Sequence, residues 1–90
     1  MNNLADFLKI IAEPNRLKIL CLLKNDKRCV CEIWQALNLP QNLISSHLKI
    51  LRQAKLIDFK KDGLKVYYFI NKQNIKKHKS LLNKLLKSYE

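Results

Sequence analysis

The spacing of the apolar residues constrains this chain more than any other feature, because it changes twice within 90 residues. Leu4, Phe7, Leu8 and Ile11 lie at i, i+3, i+4 and i+7, which places them on one stripe of a helix that we expect to end near residues 12 and 13. From residue 57 the apolar positions alternate, and near residue 75 the helical spacing returns. The order of these patterns predicts helices, then a short sheet, then a last helix.

Three further helices are predicted between residues 14 and 55. Pro14 suits the first turn of a helix that runs to about residue 24, and Ile33, Trp34 and Leu37 mark a short third helix. A fourth helix is expected from about residue 40 or 41 to residue 55, with these apolar side chains turned inward: Leu43, Ile44, Leu48, Ile50 and Leu51. Two short helices separated by about three residues form a candidate helix-turn-helix.

A β-hairpin and a last helix complete the chain. Asp62 and Gly63 form a dipeptide typical of hairpin turns, and apolar residues alternate on both sides of it. The last helix, of about fifteen residues, carries a stripe made of Ile75, His78, Leu82, Leu85 and Tyr89. We therefore predict a mainly α fold with a β-hairpin wing, in the order α-α-α-α-β-β-α, forming one winged helix-turn-helix domain over residues 1–90.

The charge of the chain predicts a polyanionic partner. Eighteen Lys and Arg against seven Asp and Glu give a formal net charge of +11, spread along the sequence, and nucleic acid is the commonest reason for such an excess. No apolar run is long enough for a membrane span, so we expect a cytoplasmic protein with no membrane partner. Paired carboxylates, catalytic triads and Gly-rich phosphate loops are missing from the sequence, which argues against an enzyme.

The predicted fourth helix has a polar face suited to DNA. Asn42, Ser45 and Ser46 are short hydrogen-bonding residues that we expect near base edges, and Lys49 and Arg52 are longer cations suited to phosphates. Any solvent-facing helix has a similar composition, but the preceding helix and the lysines of the hairpin favour the DNA interpretation. Those lysines, predicted to contact the DNA backbone, are Lys60, Lys61 and Lys65.

Cys29 and Cys31 stand where the third helix is predicted to begin. Two residues apart in a regular helix, their side chains would point about 200° apart. If Cys29 is the N-cap and Cys31 lies in the first turn, a slight opening of that turn would bring both sulfurs to one soft cation. The adjacent Lys27 and Arg28 would favour the thiolate, which is the metal-binding form. The alternative is two small apolar residues in a helix contact.

Four segments together are similar to the ArsR/SmtB family of bacterial metal- and thiol-responsive repressors. They are EPNRLKILCLL, KRCVCEI, LPQNLISSHLKILRQAKLI and KKDGLKVYYFI, and the likeness extends from about residue 4 to residue 70. The resemblance implies DNA contacts by Gln41, Asn42, Ser45 and His47, while Ser46 replaces an Arg often found in the family. It also implies a homodimer built from the first and last helices, through Leu4, Phe7, Leu8, Ile11, Ile75, Leu82, Leu85 and Tyr89.

The resemblance also suggests an inducer. KRCVCEI is similar to the cysteine box of the family's arsenite, cadmium and lead sensors, but Trp34 stands where arsenite sensors have a third cysteine. A third ligand would have to come from Cys21, the other subunit or an external thiol. His78 stands alone among lysines, so the family's zinc or nickel site on the last helix is not matched. For Cys21 we expect core packing, or alternatively a redox or persulfide link to Cys29 or Cys31.

The sequence thus predicts a dimeric repressor that binds double-stranded operator DNA and is released when a soft metal or metalloid binds Cys29 and Cys31. As(III), Cd(II), Pb(II) and Cu(I) are the candidate ions, and none is expected to be required for folding. One alternative is a thiol redox or persulfide sensor of the same fold. A second is an architectural DNA-binding or RNA-binding protein whose cysteines are structural.

Overall fold

The computed structural model of the chain describes residues 4–89. Within this range the chain forms five helices and three strands in the predicted order, with one strand added. The elements are α1 (Leu4–Ile11), α2 (Pro14–Leu22), β1 (Arg28–Cys29), α3 (Val30–Leu37), α4 (Gln41–Gln53), β2 (Ile57–Asp62), β3 (Lys65–Ile70) and α5 (Lys72–Lys87). The predicted winged helix-turn-helix architecture is confirmed, and the boundaries differ from the predicted ones by about two residues.

The helices α2, α3 and α4 enclose the core together with the start of β2. Ile19, Ile33, Ile44 and Leu51 are completely buried, one or two from each helix, and Ile57 joins them from the sheet. Burying such side chains stabilises a domain by roughly 1.5–3 kcal/mol each, which makes this cluster the main source of fold stability. The core therefore fixes α4 against α2 and α3.

Two apolar residues, Trp34 and Leu43, are not part of this core, and for Leu43 the prediction of an inward-facing side chain is wrong. The Trp34 side chain is 49% exposed and Leu43 is 45% exposed. Each directly neighbours a fully buried residue, Ile33 and Ile44 respectively, and adjacent helical positions differ by about 100° around the axis. The two short helices bury only a narrow stripe, so these apolar neighbours lie at the surface.

The small sheet has the order β1-β3-β2, with both pairs antiparallel. The hairpin is formed as predicted: Asp62 pairs with Lys65, and Gly63 sits between the strands with φ of 64°, which glycine adopts without steric cost. Strand β1 was missed by the sequence analysis because it is only two residues long. In it Cys29 pairs with Tyr67 of β3, so the start of α3 is attached to the wing.

The carboxyl end of α4 is held by the segment that starts α5. After the helix, Lys55 adopts a left-handed conformation (φ 61°), and the N–H of Leu56 donates to the carbonyl of Leu51 at 3.0 Å. The Asn74 amide donates to the carbonyls of Ala54 and Lys55 at 3.2 and 2.9 Å. These bonds use carbonyl groups that the end of a helix leaves free, and they tie α4 to α5.

The outer helices α1 and α5 pack on each other within the chain. Phe7 and His78 stack with ring centroids 4.3 Å apart, and both side chains are buried. Leu4, Ile11 and Ile75 are half-buried against the core. Part of the stripe predicted for the dimer interface is thus used inside the monomer. None of the helices in the described range is long and apolar enough to cross a membrane.

Candidate nucleic-acid interface and thiol site

The polar face of α4 is free of other protein groups over most of its length. Gln41, Asn42, Ser45, Ser46 and Lys49 are all exposed, while Ile44, Leu48 and Leu51 on the opposite face are buried. The helix begins after Pro40 with no side-chain cap, so N–H groups of its first turn remain available to an acceptor such as a phosphate. The residues predicted to contact DNA are thereby brought together on one surface.

His47 is the exception on this helix. Its side chain is 14% exposed and lies between α4 and the start of α2, where Nδ1 is 3.4 Å from Arg16 Nη1 and Nε2 is 3.9 Å from Glu13 Oε1. Glu13 is itself the N-cap of α2, and the N–H group of Arg16, bonded to its carboxylate, is the main reason why its pKa is lowered. His47 thus packs between two helices, and its contact with DNA stays a prediction.

The wing adds exposed cations beside α4. Lys60, Lys61 and Lys65 are exposed. Arg52 of α4 lies over the ring of Phe59 in β2, with Cζ 4.8 Å from the ring centroid, and Phe59 is 5.9 Å from Tyr68 by centroid distance. The Arg52 side chain, predicted to contact phosphate, therefore also connects the helix to the wing.

Cys29 and Cys31 are joined by a disulfide, with their Cα atoms 5.3 Å apart. Cys29 is the N-cap of α3 in an extended conformation and is buried, whereas Cys31 lies in the first turn and is exposed. The sulfurs meet without the opening of the helix that the sequence analysis expected to be necessary. An extended cap followed by one helical turn is enough to bring them together.

A capping box holds the same turn. The N–H of Glu32 donates to Cys29 Sγ at 3.4 Å, and the N–H of Cys29 donates to Glu32 Oε1 at 3.1 Å. Sulfur therefore occupies the place usually taken by a Ser or Thr hydroxyl. Arg28 is directed to Glu32 and to the carbonyl of Leu22, at 3.4 and 3.3 Å. The Arg28 guanidinium thus contacts a carboxylate oxygen and a carbonyl oxygen.

A cleft of about 420 Å³ opens beside the disulfide. It lies between the start of α3, the tip of the wing and the start of α4. The residues that line it are Cys29, Val30, Cys31, Trp34, Gln41, Leu64, Lys65 and Val66. The cleft places the sulfur pair next to residues of both predicted DNA-contacting elements.

Cys21 is an exposed free thiol, so the expectation that it packs in the core is wrong. It lies on α2 in a separate apolar groove with Leu17 and Leu37. Among residues 4–89 there is no group of three His, Cys, Asp or Glu side chains arranged to hold a metal ion. Cys21 is therefore not brought together with Cys29 and Cys31 as a third ligand within this chain.

The outer apolar residues predicted for a dimer interface differ in exposure. Leu82 is half-buried, whereas Leu8, Leu85 and Tyr89 are 37, 44 and 80% exposed. Leu81 and Leu86, which the sequence analysis did not place in the interface, are 39 and 55% exposed on the same helix. The second half of α5 thus presents a continuous apolar surface.

A model of bacterial regulatory proteins of the arsR family matches residues 13–58, which is half of the chain and includes the whole helix-turn-helix. This chain belongs to the arsR family. The family's members are transcriptional regulators that bind DNA through this motif. This agrees with the exposed polar face of α4 and with the prediction from the sequence that the chain is not an enzyme.

Individual arsR-family relatives extend the match. An uncharacterized HTH-type transcriptional regulator of Methanocaldococcus jannaschii is 38% identical over 82 residues, covering 90% of this chain and 92% of the relative. The cadmium resistance transcriptional regulatory protein CadC of Listeria innocua is 40% identical over 75 residues, covering 82% of this chain but 61% of its own length. The chain thus spans about three fifths of the length of CadC.

Solved structures give the same assignment. HlyU from Vibrio cholerae aligns with a TM-score of 0.74 and 34% identity, covering 88% of this chain and 86% of HlyU. A structure of reduced HlyU aligns equally well, with a TM-score of 0.74. The arsR-family fold therefore extends over α1, the wing and α5, beyond the segment matched by the family model.

Proposed function

We propose that this arsR-family chain is a homodimeric repressor whose affinity for operator DNA is controlled by the thiol state of Cys29 and Cys31. The observation that supports this most directly is the bond between their sulfurs at the junction of α3 and the sheet. Oxidation of the two thiols to this disulfide removes two protons and two electrons. One of the similar solved structures is of HlyU in its reduced form, so a redox state has been distinguished in a relative.

The position of the pair suggests how its state reaches DNA. Cys29 belongs at once to the cap of α3 and to β1, where it pairs with Tyr67 of the wing. Cys31 belongs to the first turn of α3, which packs on α4. A bond between these sulfurs fixes the angle at which the chain leaves the sheet and enters the helix. Breaking it would leave that angle held only by the capping box and by the pairing of Cys29 with Tyr67.

DNA recognition in this proposal uses the face of α4 and the wing. Gln41, Asn42, Ser45 and Ser46 lie at the start of α4 and are short enough to approach base edges. The lysines follow at the periphery, and their role is to bind phosphates: Lys49, Lys60, Lys61 and Lys65. Two copies joined through α1 and α5 would present two such surfaces to a symmetric operator.

Operator binding measured at several salt concentrations tests the DNA part. Each lysine that binds a phosphate contributes about −0.9 to the slope of log K against log salt. In a homodimer Lys49→Gln removes two such contacts and should make the slope less negative by about 1.8, whereas Lys84→Gln on α5 should leave it unchanged. Equal slopes for all three proteins would remove Lys49 from the interface.

The regulatory part is tested with fully reduced and disulfide-bonded protein of the Cys21→Ser variant. Coupling free energies between two sites are typically 1–3 kcal/mol, so we expect operator affinity to differ by about 5-fold to 150-fold between the two states. Cys31→Ser should make the affinity independent of redox state. Identical affinities of the reduced and oxidised proteins would refute redox control.

A soft metal or metalloid is the second candidate effector, and the relation to CadC favours it. The two sulfurs already converge on one point, so in the reduced state they could bind Cu(I), Cd(II), Pb(II) or As(III). A third donor would come from the partner subunit or an external thiol, since none is gathered within the described chain. Titration of each ion with and without operator tests this, because coupling requires that operator weaken ion binding by the same factor by which the ion weakens operator binding.

A further inference from the structure

We propose that the cleft beside the disulfide binds an acidic low-molecular-weight thiol or its disulfide, and that Cys31 is the sulfur that exchanges with it. This inference rests on the proposed redox function and adds the chemical class of the reaction partner and the cysteine that reacts with it. It is supported by three features of the cleft: the unequal burial of the two sulfurs, its size, and the lysine in its wall.

The two cysteines differ in access. Cys29 is 4% exposed and its sulfur accepts the N–H of Glu32, whereas Cys31 is exposed and faces the cleft. Thiol–disulfide exchange requires in-line attack on an accessible sulfur, so an external reagent can reach Cys31 and not Cys29. The geometry therefore gives the cysteines different roles in a two-step exchange.

Oxidation would proceed through a mixed disulfide. The Cys31 thiolate attacks one sulfur of an external disulfide RSSR, forming Cys31–S–S–R and releasing RS⁻. The Cys29 thiol loses its proton and attacks Cys31 Sγ, which forms the intramolecular disulfide and releases the second RS⁻. Two electrons pass from the protein to RSSR, and two equivalents of thiol are produced.

Reduction is the reverse of these steps. An external thiolate attacks Cys31 Sγ and displaces Cys29 as thiolate. The leaving sulfur is the one that accepts the N–H of Glu32 at the start of α3, and both this hydrogen bond and the helix N-terminus stabilise negative charge there. The cap therefore assists the departure of Cys29, which explains why a cysteine rather than a serine is useful at this position.

The cleft has room for the R group of the mixed disulfide. Its volume of about 420 Å³ lies in the range of sites for small ligands, roughly 300–1,000 Å³. Trp34 and Leu64 give it exposed apolar walls, and Gln41 offers an amide. The cationic group in its wall is Lys65, and none of the described residues that line it is acidic. An anionic R group is the one that this lining complements.

Disulfides of different charge test the proposal in the absence of DNA. The probes are glutathione disulfide (anionic), 2-hydroxyethyl disulfide (neutral) and cystamine (cationic), and the mass gain of the protein is followed with time. The proteins carry Cys21→Ser together with either Cys29→Ser, which traps the mixed disulfide on Cys31, or Cys31→Ser. Serine at position 29 retains a side-chain cap, and position 31 is exposed, so both variants are expected to fold, which circular dichroism checks.

We expect Cys31 to react with each probe at least about tenfold faster than Cys29, because the accessible sulfur controls the rate. Lys65→Gln should slow the reaction of Cys31 with glutathione disulfide by about two- to fivefold, the range expected for one partly exposed ion pair, and should not affect 2-hydroxyethyl disulfide. Lys84→Gln is the matched control for the overall charge and should change neither rate. A protein with Cys21 as its single cysteine measures the charge preference of a surface thiol outside the cleft.

The proposal is overturned if Cys29 reacts as fast as Cys31, if Lys65→Gln leaves the rates unchanged, or if Cys21 shows the same charge preference as Cys31. These outcomes are separable from the fate of the proposed function. Selective reaction at Cys31 with no effect on operator affinity would support the exchange site and refute redox control. Redox-dependent operator affinity without selectivity for Cys31 would do the opposite.

Discussion

The imidazole of His78 lies flat on the ring of Phe7, with the two planes inclined by 8° and the centroids 4.3 Å apart. His78 is only 2% exposed, and its Nδ1 has no hydrogen-bond partner among the described residues. Burial lowers the pKa of His78 below its ordinary value of 6.5, and the neighbouring Lys77 lowers it further. The contact between α1 and α5 is therefore built around a neutral histidine.

This stacking predicts that the protein loses stability in mild acid. Below pH 6.5 the unfolded chain binds a proton at His78 that the folded chain does not, so the free energy of unfolding falls as pH decreases from 6.5 toward the folded pKa. The slope for one proton is at most about 1.4 kcal/mol per pH unit. Urea unfolding at pH 7.5, 6.5 and 5.5 measures it.

His78→Leu is the matched variant for this measurement, since it keeps an apolar contact with Phe7 and removes the titrating group. We expect its stability to change less between pH 6.5 and 5.5 than that of the parent protein at the same protein concentration. If both proteins respond equally to pH, some other group is responsible for the acid sensitivity.

The cap made by Cys29 has a measurable stability. Under reducing conditions Cys29→Ser and Cys29→Ala both lack the disulfide and differ mainly in the ability to accept the N–H of Glu32. We expect the serine variant to be more stable than the alanine variant by about 1 kcal/mol, as for other N-caps. Chemical denaturation of both variants gives this difference, and equal stabilities would mean that the start of α3 does not depend on its cap.

Arg52 and Phe59 are predicted to be coupled. The guanidinium lies 4.8 Å from the ring centroid, so Arg52→Gln and Phe59→Leu each remove the same interaction between α4 and the wing. A double-mutant cycle on unfolding should give a coupling of about 0.5–1 kcal/mol, the range for exposed cation–π pairs. Arg52→Gln combined with Lys84→Gln on the last helix is the control pair, for which the effects should add. Additivity of the Arg52 and Phe59 effects would contradict the coupling.

The apolar surface on the second half of α5 predicts self-association. Leu85 is 44% exposed beside Leu86 at 55%, and a charge introduced at an interface between copies would be desolvated without a partner. Leu85→Glu should therefore weaken dimerisation by at least about tenfold, since each 1.4 kcal/mol corresponds to that factor. Sedimentation equilibrium measures it.

Asn83→Glu controls for the change in charge on the same turn of α5, because it also lowers the charge of each chain by one. It introduces the same carboxylate without removing an apolar side chain, and we expect a much smaller effect on the dimer dissociation constant. Indistinguishable association of Leu85→Glu and the parent protein would exclude this surface from the dimer.

The order of the elements could be predicted from the sequence because the apolar period is long enough in each segment to be unambiguous. The two-residue strand β1 could not, since Cys29 and Arg28 pair with Tyr67 and Tyr68, which lie 38 and 40 residues later in the chain. Leu43 was misassigned because a single sequence does not reveal how wide the buried stripe of a short helix is.

The thiol site was predicted in part. The cap position of Cys29 and the first-turn position of Cys31 followed from where the apolar period begins, but their direct bond did not, because it depends on the extended backbone of Cys29, with φ −75° and ψ 159°. The exposure of Cys21 was missed because the apolar residues of α2 are not confined to one side of the helix, and the packing of α3 decides which of them are covered.

The two hydrogen bonds from the Asn74 amide to the end of α4 have a consequence for operator length. They make α4, the proposed recognition helix, and α5, the proposed dimerisation helix, move together as a rigid unit. If two chains pair through α5, the tilt between the paired helices sets the separation of the two recognition helices, and half-sites one turn of B-DNA apart require about 34–36 Å. An insertion of a few base pairs between half-sites would then be tolerated only as far as the hydrogen bonds of the Asn74 amide allow α4 to move relative to α5.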